Sequence, residues 1–337
     1  MPLAFIIGGT GQIGLAVAAT LARRGWDVRL ASRAAPPAKG PWRHVTLDRS
    51  VSGALASALG EGADLMMDCI SMDAAHAEEL RSVQDRVGRI VATSSASVYR
   101  DTDGRTLDEA RETGFPRFPV PISEDHPTVA PGPQTYSTRK VAMEQTLLSG
   151  ARIPVTILRP CAIHGPYSKH AREWWFAKRL LDGRQRIPLA YAGRSRFQTT
   201  STKAIANAVV HALKGHAPSV LNVTDADAPT VVEIGRAIMA AMECDAELVG
   251  LPDGPCLPSL GTTPWSVEHA LVCASSAPAA GTYADTVPEA VQWLLEAMHD
   301  RDWRDVLPQL AAYPWELFDY EADDYALSDA RAGPIRI

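Results

Sequence analysis

Leu3–Ile7 is a short, unbroken apolar run that ends in glycines, the pattern of a strand buried on both faces. An Ala- and Leu-rich segment over Ile13–Arg24 reads as a helix closed by Gly25. Further runs predict strands at Trp26–Ala31, His44–Leu47, Asp64–Ile70 and Arg89–Thr93, with helices over Val51–Leu59 and Ala74–Arg86. Such alternation at short intervals predicts an α/β fold: a doubly wound, Rossmann-type parallel sheet with helices on both faces. Asp101–Pro133 is polar and Pro-rich with no period, and structureless loops of that length are uncommon in compact domains unless they are functional. A helix resumes over Tyr136–Leu148, and a sixth strand follows at Val155–Leu158.

Beyond Arg159 the elements become shorter and mixed. Helices are expected over Arg172–Leu181, Thr202–Leu213, Val231–Met242 and residues 287–312, and strands at Arg186–Tyr191, Phe197–Thr200 and Val220–Val223. Leu251–Pro264 is Pro- and Gly-rich and reads as loop. The domain expectation is therefore a Rossmann-type domain over 1–165, a mixed α/β lobe over 166–312, partly interleaved with the first, and an aromatic, acidic tail over 313–337. That tail either packs on the lobe or is poorly ordered.

Composition narrows the class. The chain has 337 residues, 46% of them apolar, enough to bury a large core without disulfides or metals. A net charge of -6 argues against a nucleic-acid partner, which needs concentrated Lys and Arg. The five cysteines, Cys69, Cys161, Cys244, Cys256 and Cys273, form no CxxC pair, so buried reduced thiols are expected and no metal site. No apolar stretch reaches the length of a membrane span, and the first apolar run lacks the basic lead of a signal peptide, so a cytoplasmic protein is expected.

The turn between the first strand and first helix is Gly8-Gly9-Thr10-Gly11-Gln12-Ile13-Gly14. Gly8 allows the tight turn, Gly11 lets a pyrophosphate approach the backbone, and Gly14 lets helix and strand pack closely. Phosphates would meet the amides and positive dipole end of the helix. The second strand ends in Ser32-Arg33, with no carboxylate to repel a 2′-phosphate, so NADP is expected over NAD. Asp48, after the third strand, is placed either to bond the adenine edge or to cap the next helix.

Tyr136 and Lys140 stand four apart, on one helical face. A neighbouring ammonium lowers the pKa of a phenol, and the same lysine can hold ribose hydroxyls. The fifth strand ends in Thr93-Ser94-Ser95-Ala96-Ser97, placing hydroxyls where doubly wound sheets bind ligands. Ser95 is then placed to orient a substrate oxygen, with Ser97 nearby as a substrate contact, while Tyr136 exchanges the proton. The Trp174-Trp175 pair would stack a ring or a nucleobase, or belong to the lobe core or a dimer contact, and Arg196 is a candidate for a substrate phosphate or a solvated side chain.

In order along the chain, the glycine turn, Ser94-Ser95-Ala96-Ser97-Val98-Tyr99, Tyr136-x-x-x-Lys140 and Arg159-Pro160-Cys161-Ala162-Ile163-His164-Gly165-Pro166 resemble the extended short-chain dehydrogenase/reductases, the NAD-dependent epimerase/dehydratase family. The resemblance implies Ser95, Tyr136 and Lys140 as the catalytic triad. It implies that Cys69-Ile70-Ser71 and the Pro160–Ile163 backbone line the cofactor, and often a homodimer through helices that include the Tyr/Lys helix. Val98-Tyr99-Arg100 and Ile163-His164-Gly165-Pro166 depart from the family's Val-Tyr-Gly and Val-Tyr-Gly-Pro. Ser94-Ser95 stand where related dehydratases carry Asp-Glu, which argues against dehydration by that route.

Three readings follow: an NADP-preferring oxidoreductase acting at a hydroxyl or carbonyl carbon of a small metabolite, a nucleotide-sugar epimerase with tightly held NAD, and a non-catalytic dinucleotide sensor or RNA-associated protein. The intact Ser95, Tyr136 and Lys140 count against the third.

Overall fold

The computed structural model describes residues 1–215, 217–252, 260–329 and 331–335. Residues 253–259 of the expected Leu251–Pro264 loop, Cys256 among them, lie outside the described residues. The chain folds into two compact units, one of Met1–Cys161, Thr202–Thr224 and Cys273–Ala279, the other of Ala162–Ser201, Asp225–Val272 and Ala280–Ile337.

The first unit holds seven strands: β1 (Leu3–Ile7), β2 (Asp27–Ser32), β3 (Arg43–Thr46), β4 (Leu65–Asp68), β5 (Ile90–Thr93), β6 (Val155–Pro160) and β10 (Val220–Val223). Their order is β10-β6-β5-β4-β1-β2-β3, and every pairing is parallel. The order reverses between β1 and β4, so a crevice opens at their carboxyl ends. β4, β5 and β6 are buried along their whole length, as their mostly apolar sequences predict, whereas the edge strand β3 is half-exposed.

Helices α1 (Gln12–Ala22), α2 (Ala54–Leu59), α3 (Ala74–Ser82), α4 (Ala110–Thr113), α5 (Tyr136–Ser149) and α7 (Thr202–Leu213) complete this unit. Phe5, Ile7, Met66, Ala92 and Ile157 pack under Ala77 and Leu80 of α3 and Met143 and Leu147 of α5. α1 and α7 pack on each other and touch β1, β2, β6 and β10. The long Pro-rich stretch is mostly irregular, but it is tied down: Asp101 accepts the backbone N–H groups of Asp103, Arg105 and Arg117.

The second unit has a parallel ribbon of β7 (Ala162–His164) and β9 (Thr199–Ser201), and a sheet ordered β12-β11-β8 from β8 (Arg186–Leu189), β11 (Glu247–Gly250) and β12 (Gly333–Pro334). Its helices are α6 (Trp174–Leu181), α8 (Val231–Met242), α9 (Tyr283–Met298), α10 (Trp303–Val306), α11 (Pro308–Ala311) and α12 (Tyr320–Leu327). The core is aromatic, with Trp174, Trp175, Phe176, Trp265 and Tyr283 buried among Ile and Leu side chains.

Three expectations need correction. The helix expected over 287–312 starts at Tyr283, because Thr282 and Asp285 form a capping box, and it breaks after Met298 into two short helices. The segment beyond Tyr313 is not a loose tail: α12 and β12 are ordered, and Asp323 reaches the buried Arg179. The thiols are not uniformly buried: Cys273 is, Cys69 and Cys161 are half-buried, and Cys244 is exposed. Among the described residues no helix is long and apolar enough to cross a membrane.

Candidate active site

The carboxyl ends of the first unit's strands gather most of the residues singled out in the sequence. Gly8 turns with φ +71°, and a Cβ there would meet Ile70 Cγ2 at 2.7 Å. Gly14 packs so closely that a Cβ would collide with the Gly9 backbone. Gly11 differs. Its added Cβ would meet only the Gly8 carbonyl, at 3.5 Å, an ordinary contact, and the residue is exposed. Protein packing therefore does not demand glycine at 11, whereas close approach of a phosphate would. Gly11 caps α1 without a side-chain hydrogen bond, and the amide of Leu15 is the first bonded back into the helix, to the Gly11 carbonyl. The Gln12, Ile13 and Gly14 amides at this N-terminus are the set that an anion uses. Thr10 and Gln12 are half-buried beside them, and Ile13 is buried. The turn fits a dinucleotide pyrophosphate.

At the end of β2, the Ser32 hydroxyl bonds the Ala34 carbonyl and the His44 ring, and Arg33 is exposed. Asp48 does not cap α2, whose N-cap is Gly53. Its carboxylate accepts the Ser50 hydroxyl and amide, and these bonds, helped by the Arg33 charge, hold its pKa below the usual range. Cys69 and the exposed Ile70 follow β4. Pro160 is buried at the end of β6.

The catalytic candidates come from two elements. Ser95, two residues beyond β5, is in extended conformation; its hydroxyl accepts the Ser97 amide at 3.1 Å and faces the Tyr136 phenol closely enough to favour the ionised form. Tyr136 opens α5, whose first turn is fixed by a capping box between Thr135 and Thr138. The loop residue Asp108 also accepts the Ser137 amide, at 2.8 Å. The Ser137 hydroxyl bonds both the carbonyl and the hydroxyl of Ser97 at 2.9 Å, tying the helix start to the strand end. Lys140 is 4% exposed; its ammonium donates to the carbonyls of Ser71 and of Thr93 (2.9 Å) and lies 5.6 Å from the Tyr136 ring centre.

The electrostatics correct one expectation. Burial drives the Lys140 pKa down to about 8, against the opposing charges of Asp68, Glu144 and Asp73. The Tyr136 phenol is raised rather than lowered: desolvation outweighs the Ser95 hydrogen bond, and Asp108 adds to the rise against Arg139. With its ammonium turned to the Ser71 and Thr93 carbonyls, Lys140 is not among the groups that shift the Tyr136 phenol in this arrangement.

Several supporting residues escaped the sequence reading. Asp68, fully buried, accepts the Ile70 amide (2.8 Å), the Ser71 hydroxyl (2.5 Å) and Arg49 (2.6 Å). Arg159 pairs with Glu144 on α5 through two bonds of 3.0 and 2.6 Å, and also donates to Tyr99, whose phenol donates to Asn222. A charged residue inside an otherwise apolar strand was the available signal for both Asp68 and Arg159.

Ile163, Trp174 and Arg196 belong to the second unit. Ile163 is half-buried in β7. Trp174 is 5% exposed and packed in the aromatic core, so it is a core residue rather than an open stacking platform. Arg196 is exposed and donates to the Ala228 carbonyl ahead of α8. His164 is buried against Asp225 at 2.8 Å, and Asp225 also accepts the Ser201 amide.

Residues 4–224 match the model of the NAD dependent epimerase/dehydratase family. The chain belongs to this family. No curated protein matches the sequence. Solved members of similar fold include UDP-N-acetylglucosamine 4-epimerase from Methanobrevibacter ruminantium M1, in complex with UDP-N-acetylmuramic acid. It is 17% identical, with a TM-score of 0.67 over 88% of this chain and 99% of that one. The Bordetella bronchiseptica enzyme WbmH, in complex with NAD+, is 19% identical with a TM-score of 0.65 over the same shares. dTDP-glucose 4,6-dehydratase from Bacillus anthracis, in complex with NAD, is 15% identical with a TM-score of 0.64 over 91% of this chain and all of that one. At these identities the likeness establishes the family fold, a Rossmann-like parallel sheet with a C-terminal lobe.

Proposed function

We propose that this family member is a dinucleotide-dependent oxidoreductase that moves a hydride at a hydroxyl or carbonyl carbon of a small metabolite. The observation that carries the reading is the pair of hydroxyls, Ser95 and Tyr136, brought face to face beyond β5, with Lys140 one helical turn on. The amides of Gln12, Ile13 and Gly14 would hold the pyrophosphate, and Lys140 would meet the ribose. The bound nicotinamide supplies or accepts the hydride. Ser95 orients the substrate oxygen and Tyr136 gives or takes its proton. A lysine leaving the Ser71 and Thr93 carbonyls for the ribose would bring its charge toward Tyr136 and lower the phenol's pKa. The exposed Arg33, with no acidic residue following Ser32 on that strand, supports NADP over NAD. The protein is proposed to work as a homodimer.

A second reading, nucleotide-sugar epimerase, has its own support: the similar structures were solved with NAD or with a UDP-sugar. One experiment separates the two. The purified protein is denatured, any released dinucleotide is identified, and the empty protein is titrated with NADPH and NADH. An empty protein that prefers NADPH supports the oxidoreductase. Near-stoichiometric retained NAD supports the epimerase, which regenerates its cofactor in place, and removes the Arg33 argument.

A further inference from the structure

Asp68 is a carboxylate sealed from solvent at the end of a central strand, and nothing in a purely apolar β4 would require it. Each of its oxygens is engaged. Oδ1 takes the Ile70 amide, and Oδ2 takes the Ser71 hydroxyl and Arg49. Arg49 is itself 8% exposed and is held from its other side by Glu79 at 2.7 Å. This clamp folds residues 68–71 into a turn, and the Ser71 carbonyl at its end receives the Lys140 ammonium. We propose that Asp68, clamped by Arg49, is a positioning residue for Lys140: it sets the Ser71 carbonyl against the ammonium and supplies the nearest negative charge from β4.

The other groups facing Lys140 are the Thr93 carbonyl at the end of β5, Asp73 at the start of α3, and Glu144 and Tyr136 on its own helix. Glu144 is paired with Arg159 as Asp68 is with Arg49, and Asp73 caps α3, but of the three only Asp68 also bonds Ser71, whose carbonyl receives the ammonium. The consequence for turnover rests on the proposed function; the placement of Lys140 does not.

The test is competitive labelling of Lys140 with acetic anhydride across pH, read by mass spectrometry on the empty full-length protein. Asp68→Asn is expected to move the labelling midpoint to lower pH and raise Lys140 reactivity at pH 7 about fivefold. Dinucleotide binding by this variant is expected to fail at alkaline pH and recover as pH falls, which a merely structural loss would not do. An unchanged midpoint overturns the proposal. If the variant does not fold, the wild-type Asp68 carboxyl carbon is followed by 13C NMR. An inflection at the Lys140 midpoint sustains the proposal, and a flat response there overturns it. A midpoint shift in a protein that binds no dinucleotide would leave this inference standing and remove the proposed function.

Discussion

Lys140 in the first unit and Arg179 in the second are both buried cations, and the protein treats them in opposite ways. Lys140 donates to two backbone carbonyls and, among the described residues, bonds no carboxylate. Arg179 donates to Asp323 at 3.0 Å and to the carbonyls of Leu317 and Trp175, and its guanidinium lies 3.7 Å over the Trp175 ring. The lysine is therefore left able to lose its proton or change partner, with its pKa near 8, while the arginine is fixed by charge, hydrogen bonds and a stacked ring. Buried charge serves adjustable chemistry where its partners are neutral, and rigidity where they are ionic and geometrically matched.

Breaking the comparison on its chemical side gives the largest effect. Tyr136→Phe is expected to lower turnover by about 10²–10⁴-fold with dinucleotide binding kept, as steady-state assay and titration would show. Retained turnover would move the chemistry away from the strand ends.

On the structural side, Asp323→Ala leaves Arg179 buried without its carboxylate and should cost about 3–5 kcal/mol in urea unfolding. A double change, Arg179→Met with Asp323→Leu, should recover most of that loss. A small effect of the single change would mean that the tryptophan and the carbonyls hold the guanidinium alone.

Lys140 also sharpens the contrast through pH. Its folded pKa, about 8, lies below the ordinary 10.5, so between these values the unfolded chain binds more protons and stability rises with pH. Wild type minus Lys140→Met should show this rise, roughly 1–3 kcal/mol between pH 8 and 10.5, and no difference in slope below pH 7. The smallest effects are in the glycine turn. Gly11→Ala should weaken dinucleotide binding at nearly unchanged melting temperature. Gly14→Ala should lower the melting temperature, because its Cβ meets backbone.

The first unit was largely legible because its signals are local. A buried parallel strand is a continuous apolar run, the glycine turn lies within a few residues, and Tyr136 and Lys140 share one helix. The matching ranges of α7, β10 and α8 show how far periodicity carries where a helix or strand has one clear apolar face. What escaped depends on distant partners. β7 and β11 are three- and four-residue strands whose existence depends on β9 and β8. The raised pKa of Tyr136 follows from desolvation, which no spacing encodes. Trp174 read equally as ligand platform or core, and only the packing of the second unit decided for core.

The ion pair of Arg179 and Asp323 spans 144 residues of sequence, and β12 joins its sheet later still. During synthesis the guanidinium emerges from the ribosome long before its carboxylate. Until then it must stay hydrated or find a substitute anion, so the second unit completes its core around α6 only after Asp323 has been made. Premature termination between Ala279 and Asp323 would release a protein whose first unit has its complete central sheet but whose second unit still exposes aromatic surface, the kind of surface that chaperones and proteases recognise.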